Sequence, residues 1–181
     1  MQFYCEDNQE VLDMVLAAYR LAEDRRILLP AMVCQDAFVL SHTLMMTEVP
    51  EQAQVDAFLP PLDLPHRLGG TPRTVGGLDF PRETEVHRRQ MSEAMAAVPD
   101  AYRGVQDRFQ AVMGRRLPDP VVPYRMEDAE VALVSMGTTA TTGPCMRDAN
   151  GFGRAFRRRK SYAGRSSSLP FGRFTVFFIV P

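Results

Sequence analysis

An amphipathic helical pattern that runs into an apolar octet limits the fold of this chain more than any other feature. Residues 9–23, QEVLDMVLAAYRLAE, put Val11, Leu12, Val15, Leu16 and Tyr19 at helical spacing, which predicts the buried stripe of a helix. Asp7 or Asn8 stands where a side-chain oxygen caps the open amides of a first turn. Ile27 to Cys34 follows as ILLPAMVC, a nearly continuous apolar run of the kind carried by a parallel strand covered on both faces. A helix feeding a buried strand is half of an α/β unit, so the expected class is α/β. Open sheets of that class hold ligands beyond the carboxyl ends of their strands. Gln35 to Thr47 occupies that place, and Asp36, Ser41 and His42 are its candidate groups for contact with a cofactor or a subunit. The same three residue types also satisfy backbone groups in tight connections, so a loop-structuring role stands beside the binding one.

Prolines and glycines divide the rest. Six prolines between Val49 and Pro81, with the pairs Gly69-Gly70 and Gly76-Gly77, exclude any long element there apart from a short helix around Glu51 to Phe58. Arg82 to Met113 returns to helical composition, with Val86, Met91, Met95 and Val98 on one stripe and Val105, Phe109, Val112 and Met113 beyond Pro99. Two helices or one kinked helix are predicted, with the methionines in the core and His87-Arg88-Arg89 on a solvated face or at a subunit contact. Leu117-Pro-Asp-Pro-Val-Val-Pro123 predicts an extended linker over 118–125. Glu130 to Met136 then reads as the buried first strand of a second α/β domain starting at 126. Gly137-Thr138-Thr139-Ala140 reads as a turn opening a helix whose amides face a ligand or a neighbouring domain. It lacks the spacing of a dinucleotide loop and the Lys-Ser/Thr ending of a P-loop.

With 21 basic and 22 acidic residues the net charge is −1, which favours neither nucleic acid nor a membrane surface as partner. The distribution is uneven. Residues 1–140 hold 13 basic and 21 acidic side chains, a net of −8, and the last 41 hold eight basic and one acidic, a net of +7. Cys5, Cys34 and Cys145 show no paired spacing, so neither a disulfide framework nor a metal site is signalled, and Cys34 is expected as a small buried hydrophobe. The first residues have no basic segment leading into an apolar one, and no apolar run approaches the roughly 20 residues of a membrane helix, so the chain reads as soluble and cytoplasmic.

The ordered succession of several segments resembles the α subunit of the pyruvate:ferredoxin and related 2-oxoacid:ferredoxin oxidoreductases, the pyruvate synthases. The carrying residues are Asn8 to Asp13, Tyr19 to Asp24, and Leu28-Leu29-Pro30-Ala31-Met32-Val33-Cys34-Gln35-Asp36-Ala37-Phe38-Val39-Leu40-Ser41-His42-Thr43. The likeness continues through Val55 to Pro61 and ends with Glu127 to Val134 and Gly137 to Ala140, about 140 of the 181 residues in all. It implies the end of a thiamine-pyrophosphate pyrimidine-binding domain over 1–117, the linker, and the first strand of a transketolase-C-terminal-like α/β domain over 126–140. The implied parent reaction is oxidative decarboxylation of pyruvate with coenzyme A to acetyl-coenzyme A. The implied cofactor is thiamine pyrophosphate, shared with a β subunit. Iron-sulfur clusters and magnesium would be held elsewhere in a complex that includes γ and δ subunits and meets ferredoxin or flavodoxin. The resemblance begins late in the first domain, and the family's catalytic acid and substrate-carboxylate arginine lie upstream of it. The expectation is therefore a subunit fragment with no catalytic residue of its own and no activity alone; a stand-alone interaction module derived from that subunit is the alternative. One departure is Ala37, where the family carries glycine, which puts a tight loop in question.

From Thr141 the likeness stops and the chain turns rich in arginine, serine and glycine. Every basic residue except Lys160 is arginine, as in a GC-rich gene, and such a gene yields this composition when read out of frame. Residues 141–181 are therefore expected to be frame-shifted. The basic run Arg157-Arg158-Arg159-Lys160, with Phe156 and Tyr162 beside it, is then an accident of coding rather than a nucleic-acid patch.

Overall fold

A computed structural model describes residues 1–141, apart from 66–68, 70–71, 73–74 and 125–131, together with a strand at 174–178. Glu130 and Val131 of the expected second-domain strand, Cys145 and the basic run at 157–160 lie outside the described residues.

The chain opens with a complete β-α-β unit: β1 (Gln2–Tyr4), α1 (Asn8–Ala22) and β2 (Met32–Cys34). The two strands are parallel, with Phe3 opposite Val33. β1 was not anticipated, because three residues are too few to show a period. Asp7 caps α1, its carboxylate accepting the Glu10 amide at 2.7 Å, and the Glu10 carboxylate accepts the Glu6 amide at 2.7 Å.

Two expectations for this unit change. The buried face of α1 is Met14, Ala17, Ala18 and Leu21, while Val15 and Tyr19 face outward. Small residues at 17 and 18 let the neighbouring helix approach closely, which decides between two apolar faces. Only the end of the apolar octet forms a strand. Ile27 drops alone into the core, Leu28 takes a left-handed φ of 46°, and Pro30 has no N–H for a ladder, so pairing begins at Met32. Cys34 is half-buried, whereas Cys5 is buried.

α2 (Gln52–Phe58) forms as expected, closed by a capping box between Glu51 and Gln54. α3 (Pro81–Met113) is a single helix that passes through Pro99. Pro99 lies on an exposed face, where water can take the carbonyl left without its N–H donor. Residues 81–93 are exposed throughout, Met91 included, so that methionine is not core, while Met113 is buried and Met95 packs at the core's edge. His87 bonds Asp79 at 2.7 Å and Arg89 pairs with Glu85 at 2.9 Å, as befits a solvated face.

The core lies where α1 and α2 meet the second half of α3. Phe58 and Phe109, both fully buried, meet edge to face with centroids 5.1 Å apart. The Arg20 and Arg115 guanidinium groups cover their outer sides, at 5.2 Å over Phe58 and 5.6 Å over Phe109. Arg115 also grips Asp13 through two bonds of 2.8 and 2.6 Å. After the left-handed cap at Gly114, Leu117 is buried, and Gln106 with Tyr102 donates to the carbonyls of 117 and 118, so this stretch is fastened to α3.

Three further strands form a second sheet: β3 (Val121–Tyr124), β4 (Ala132–Ser135) and β5 (Phe174–Phe178), in the order β3-β5-β4. β5 runs parallel to β3 and antiparallel to β4. The second half of the expected linker is thus β3, and the segment expected to be out of frame supplies β5. A run of phenylalanine, threonine and valine has high strand propensity whatever its coding origin. Among the described residues no helix is long and apolar enough to cross a membrane.

Candidate functional site

The loop after β2 stands at the carboxyl end of the parallel pair, beside the start of α1, and holds all three candidate residues. Asp36 begins it by accepting the backbone amides of Leu40 and Ser41 on its carbonyl, both at 3.3 Å. Its carboxylate reaches across to the turn after β4, where Oδ2 accepts the Thr138 amide at 2.6 Å and the Thr138 hydroxyl. Gly137, at φ 63°, lies under that carboxylate. A Cβ there would stand 2.7 Å from Oδ2, so both the conformation and the space demand glycine. The expected Gly-Thr-Thr-Ala turn therefore does present an amide, and the acceptor is Asp36.

Ser41 and His42 are exposed and bonded to each other, Oγ to Nδ1, at 2.7 Å. Ser41 Oγ also accepts the Phe38 amide at 3.0 Å. The Ser41 hydroxyl thus bridges the Phe38 amide and the His42 ring. The His42 amide returns to the Phe38 carbonyl at 3.2 Å. The left-handed residue of the loop is Phe38, at φ 65°, and not Ala37, so the alanine where the family has glycine carries no strain. That turn sets the exposed Phe38 ring 4.9 Å from the His42 ring. Buried Leu40 anchors the loop from below, and Asn8 donates to the Thr43 carbonyl at 3.2 Å.

Chemically the loop offers two ring faces, with no lysine or arginine between Asp36 and Thr47. In the first turn of α1 the Glu10 amide is taken up by the Asp7 carboxylate. Among the described residues no three His, Cys, Asp or Glu side chains converge as a metal site. The edge thus presents two aromatic rings and no cation. Asp36 and Ser41 shape the loop; Phe38 and His42 present its surface. Phe38 was missed in the sequence because a left-handed phenylalanine has no signature there.

A separate cleft of about 440 Å³ lies at the other end of α1, lined by Arg20, Arg25, Arg26, Asp24, Asp63 and Gly104. Its cations are occupied: Arg25 pairs with Asp63, Arg26 with Asp24 at 2.6 Å, and Arg20 with the Phe58 carbonyl. Burial, with Arg108 nearby, lowers the Arg20 guanidinium, and the hydrogen bond from Arg26 holds the Asp24 carboxyl below its ordinary range.

In α/β domains the carboxyl edge of the parallel strands, where this loop lies, is the usual ligand edge. Residues 1–107 match the family described as pyruvate flavodoxin/ferredoxin oxidoreductase, thiamine diphosphate-binding, and the chain belongs to that family. It is 41% identical over 144 residues to the pyruvate synthase subunit PorA of Pyrococcus furiosus, and 38% over 143 residues to that of Methanothermobacter thermautotrophicus. It is also 34% identical over 144 residues to the ketoisovalerate oxidoreductase subunit VorA of Pyrococcus abyssi. These alignments cover 78% of this chain, which spans about 36% of the length of the curated relatives it matches.

Proposed function

We propose that this chain supplies part of the α subunit of a thiamine-dependent 2-oxoacid:ferredoxin oxidoreductase acting on pyruvate, and that its role is to build the pyrimidine side of the cofactor site. The match of residues 1–107 to a thiamine diphosphate-binding family carries this reading. The loop supports the assignment of sides: the exposed Phe38 and His42 rings suit an aminopyrimidine, and the lack of a cation leaves the diphosphate to a partner. Thiamine diphosphate, when bound, would supply a carbon nucleophile and an electron sink for decarboxylation. The residues of this chain orient the ring and exclude water from it.

In this reading the chain works in the cytoplasm as one piece of an assembly. A β subunit binds the diphosphate with magnesium, γ and δ subunits and the iron-sulfur clusters carry electrons, and ferredoxin or flavodoxin receives them. Residues 1–117 form the end of the pyrimidine domain, 118–125 the linker and 126–140 the start of the second α/β domain, while 141–181 carry an out-of-frame sequence. The test is a chimera in which residues 1–140 replace the matched segment of the Pyrococcus furiosus PorA subunit. Pyruvate-dependent ferredoxin reduction by the assembled chimera is expected, and none from the 181-residue chain alone. An assembled but inactive chimera that still binds thiamine diphosphate would refute the assignment to this reaction.

A further inference from the structure

The exposed rings of Phe38 and His42 owe their mutual placement to a short relay of bonds that begins outside their loop. The Asp36 carbonyl closes the loop by accepting the Leu40 and Ser41 amides, each at 3.3 Å. Ser41 Oγ accepts the Phe38 amide at 3.0 Å and bonds His42 Nδ1 at 2.7 Å, which ties both ring residues to that closure. The rings then stand 4.9 Å apart, inclined by 30°. Phe38 holds a left-handed φ of 65°, a conformation that phenylalanine keeps only while surrounding bonds enforce it. The two closing bonds are long for the purpose and the ring residues are open to water, so the closure needs a firmer support.

That support comes from a residue 102 positions away. Asp36 Oδ2 accepts both the Thr138 amide, at 2.6 Å, and the Thr138 hydroxyl. Hydrogen bonds to an ionised carboxylate are the short and strong kind. Gly137 lets the carboxylate come this near, since a Cβ there would stand 2.7 Å from Oδ2. Thr138 itself is set by the turn after β4, where its carbonyl accepts the Thr141 hydroxyl at 2.8 Å.

We propose that Thr138 is a positioning residue for the ring pair: through the Asp36 carboxylate it fixes Asp36, the closed loop, and so the spacing and tilt of Phe38 and His42. A carboxylate held by an amide and a hydroxyl together has one orientation, whereas one held by the amide alone is free to turn about χ2. The amide is backbone and survives any substitution at 138, so the hydroxyl is the part of the support that the threonine side chain adds. Rings held ready in this way lower the ordering cost of placing an aminopyrimidine against them. That last consequence rests on the reading that the loop faces the cofactor's pyrimidine; the effect of Thr138 on the ring pair itself does not.

The experiment is proton NMR of the full 181-residue chain, read at the His42 ring protons, which lie in the ring current of Phe38. His42→Ala identifies these signals among the three histidines, and Phe38→Ala gives their position without a neighbouring ring. Thr138→Val keeps the shape and the amide and removes the hydroxyl; it is expected to move the His42 signals about half of the way or more to the Phe38→Ala position. Thr138→Ser restores the donor and is expected to leave them at the wild-type position. Asp36→Asn, which keeps the size of the acceptor and removes its charge, is the second variant and is expected to move them in the same direction. Unchanged methyl signals of the core residue Leu21 show in each case that the fold is intact. In the chimera carrying residues 1–140, Thr138→Val is expected to raise the thiamine diphosphate dissociation constant about 5-fold or more, and to add nothing once Phe38 and His42 are both alanine. His42 signals that ignore Thr138→Val and Asp36→Asn would overturn the proposal. So would an affinity loss that persists without the two rings, or an unchanged affinity in Thr138→Val where the ring substitutions weaken binding. Signals that move as expected, with an affinity that responds to neither Thr138→Val nor the ring substitutions, uphold the positioning and overturn the thiamine reading alone.

Discussion

The Asp36 carboxylate accepts the Thr138 backbone amide at 2.6 Å, a bond between residues 102 apart in sequence that ties the loop after β2 to the turn after β4. It joins the expected cofactor edge to the Gly137–Ala140 turn. Asp36→Ala leaves the Thr138 amide without its acceptor, and Gly137→Ala drives a methyl into the carboxylate at a left-handed φ. Each is expected to weaken this junction by about 1–3 kcal/mol. Faster amide hydrogen exchange at Thr138, with little change at Leu21 in the core, is the expected signature.

The Phe58–Phe109 pair is the centre of the core. Phe109→Ala removes a fully buried ring and the edge it offers to Phe58, with an expected loss of about 3–5 kcal/mol in urea unfolding. Phe109→Leu keeps most of the volume and should cost about half as much or less.

Arg115 bonds Asp13 twice while its plane lies over Phe109. Lysine keeps the charge but loses the fork and the stacking, so Arg115→Lys is expected to destabilise the chain nearly as much as Arg115→Met, by about 1–3 kcal/mol. An unfolding midpoint for Arg115→Lys equal to wild type would contradict the double contact.

Asp24 supplies a pH dependence of known sign. The Arg26 hydrogen bond, the largest cause, lowers its folded-state pKa, so the folded protein holds the charged form more firmly than the unfolded chain does. This stabilisation is complete above the ordinary carboxylate range near pH 4 and is lost as pH falls through the depressed folded value. Arg26→Ala is therefore expected to lower the plateau above about pH 4 slightly and to leave stability in stronger acid nearly unchanged, so that the acid limb of a thermal stability profile becomes flatter.

Helical composition showed where α1, α2 and α3 lie, and the place of residues 35–47 after the expected buried strand pointed to the loop of Asp36, Ser41 and His42. What stayed hidden has physical causes. β1 is too short to show a period. The inward face of α1 was decided by Ala17 and Ala18, which hydrophobicity alone ranks below Val15 and Tyr19. α3 crosses Pro99 because that proline faces water. The left-handed residue is Phe38 rather than the position where the family has glycine, and only the closing bonds from Ser41 and His42 determine that.

The most direct test of the account is the thiamine diphosphate affinity of the chimeric pyruvate synthase carrying residues 1–140, measured by titration for wild type, Phe38→Ala and His42→Ala. Both side chains are exposed, so their loss should leave the fold intact. A cofactor dissociation constant raised about 10-fold or more in each variant is the predicted result, as expected for the loss of about 1.4 kcal/mol of contact with the ring. Unchanged affinity in both would contradict the claim that this loop forms the pyrimidine side of the cofactor site.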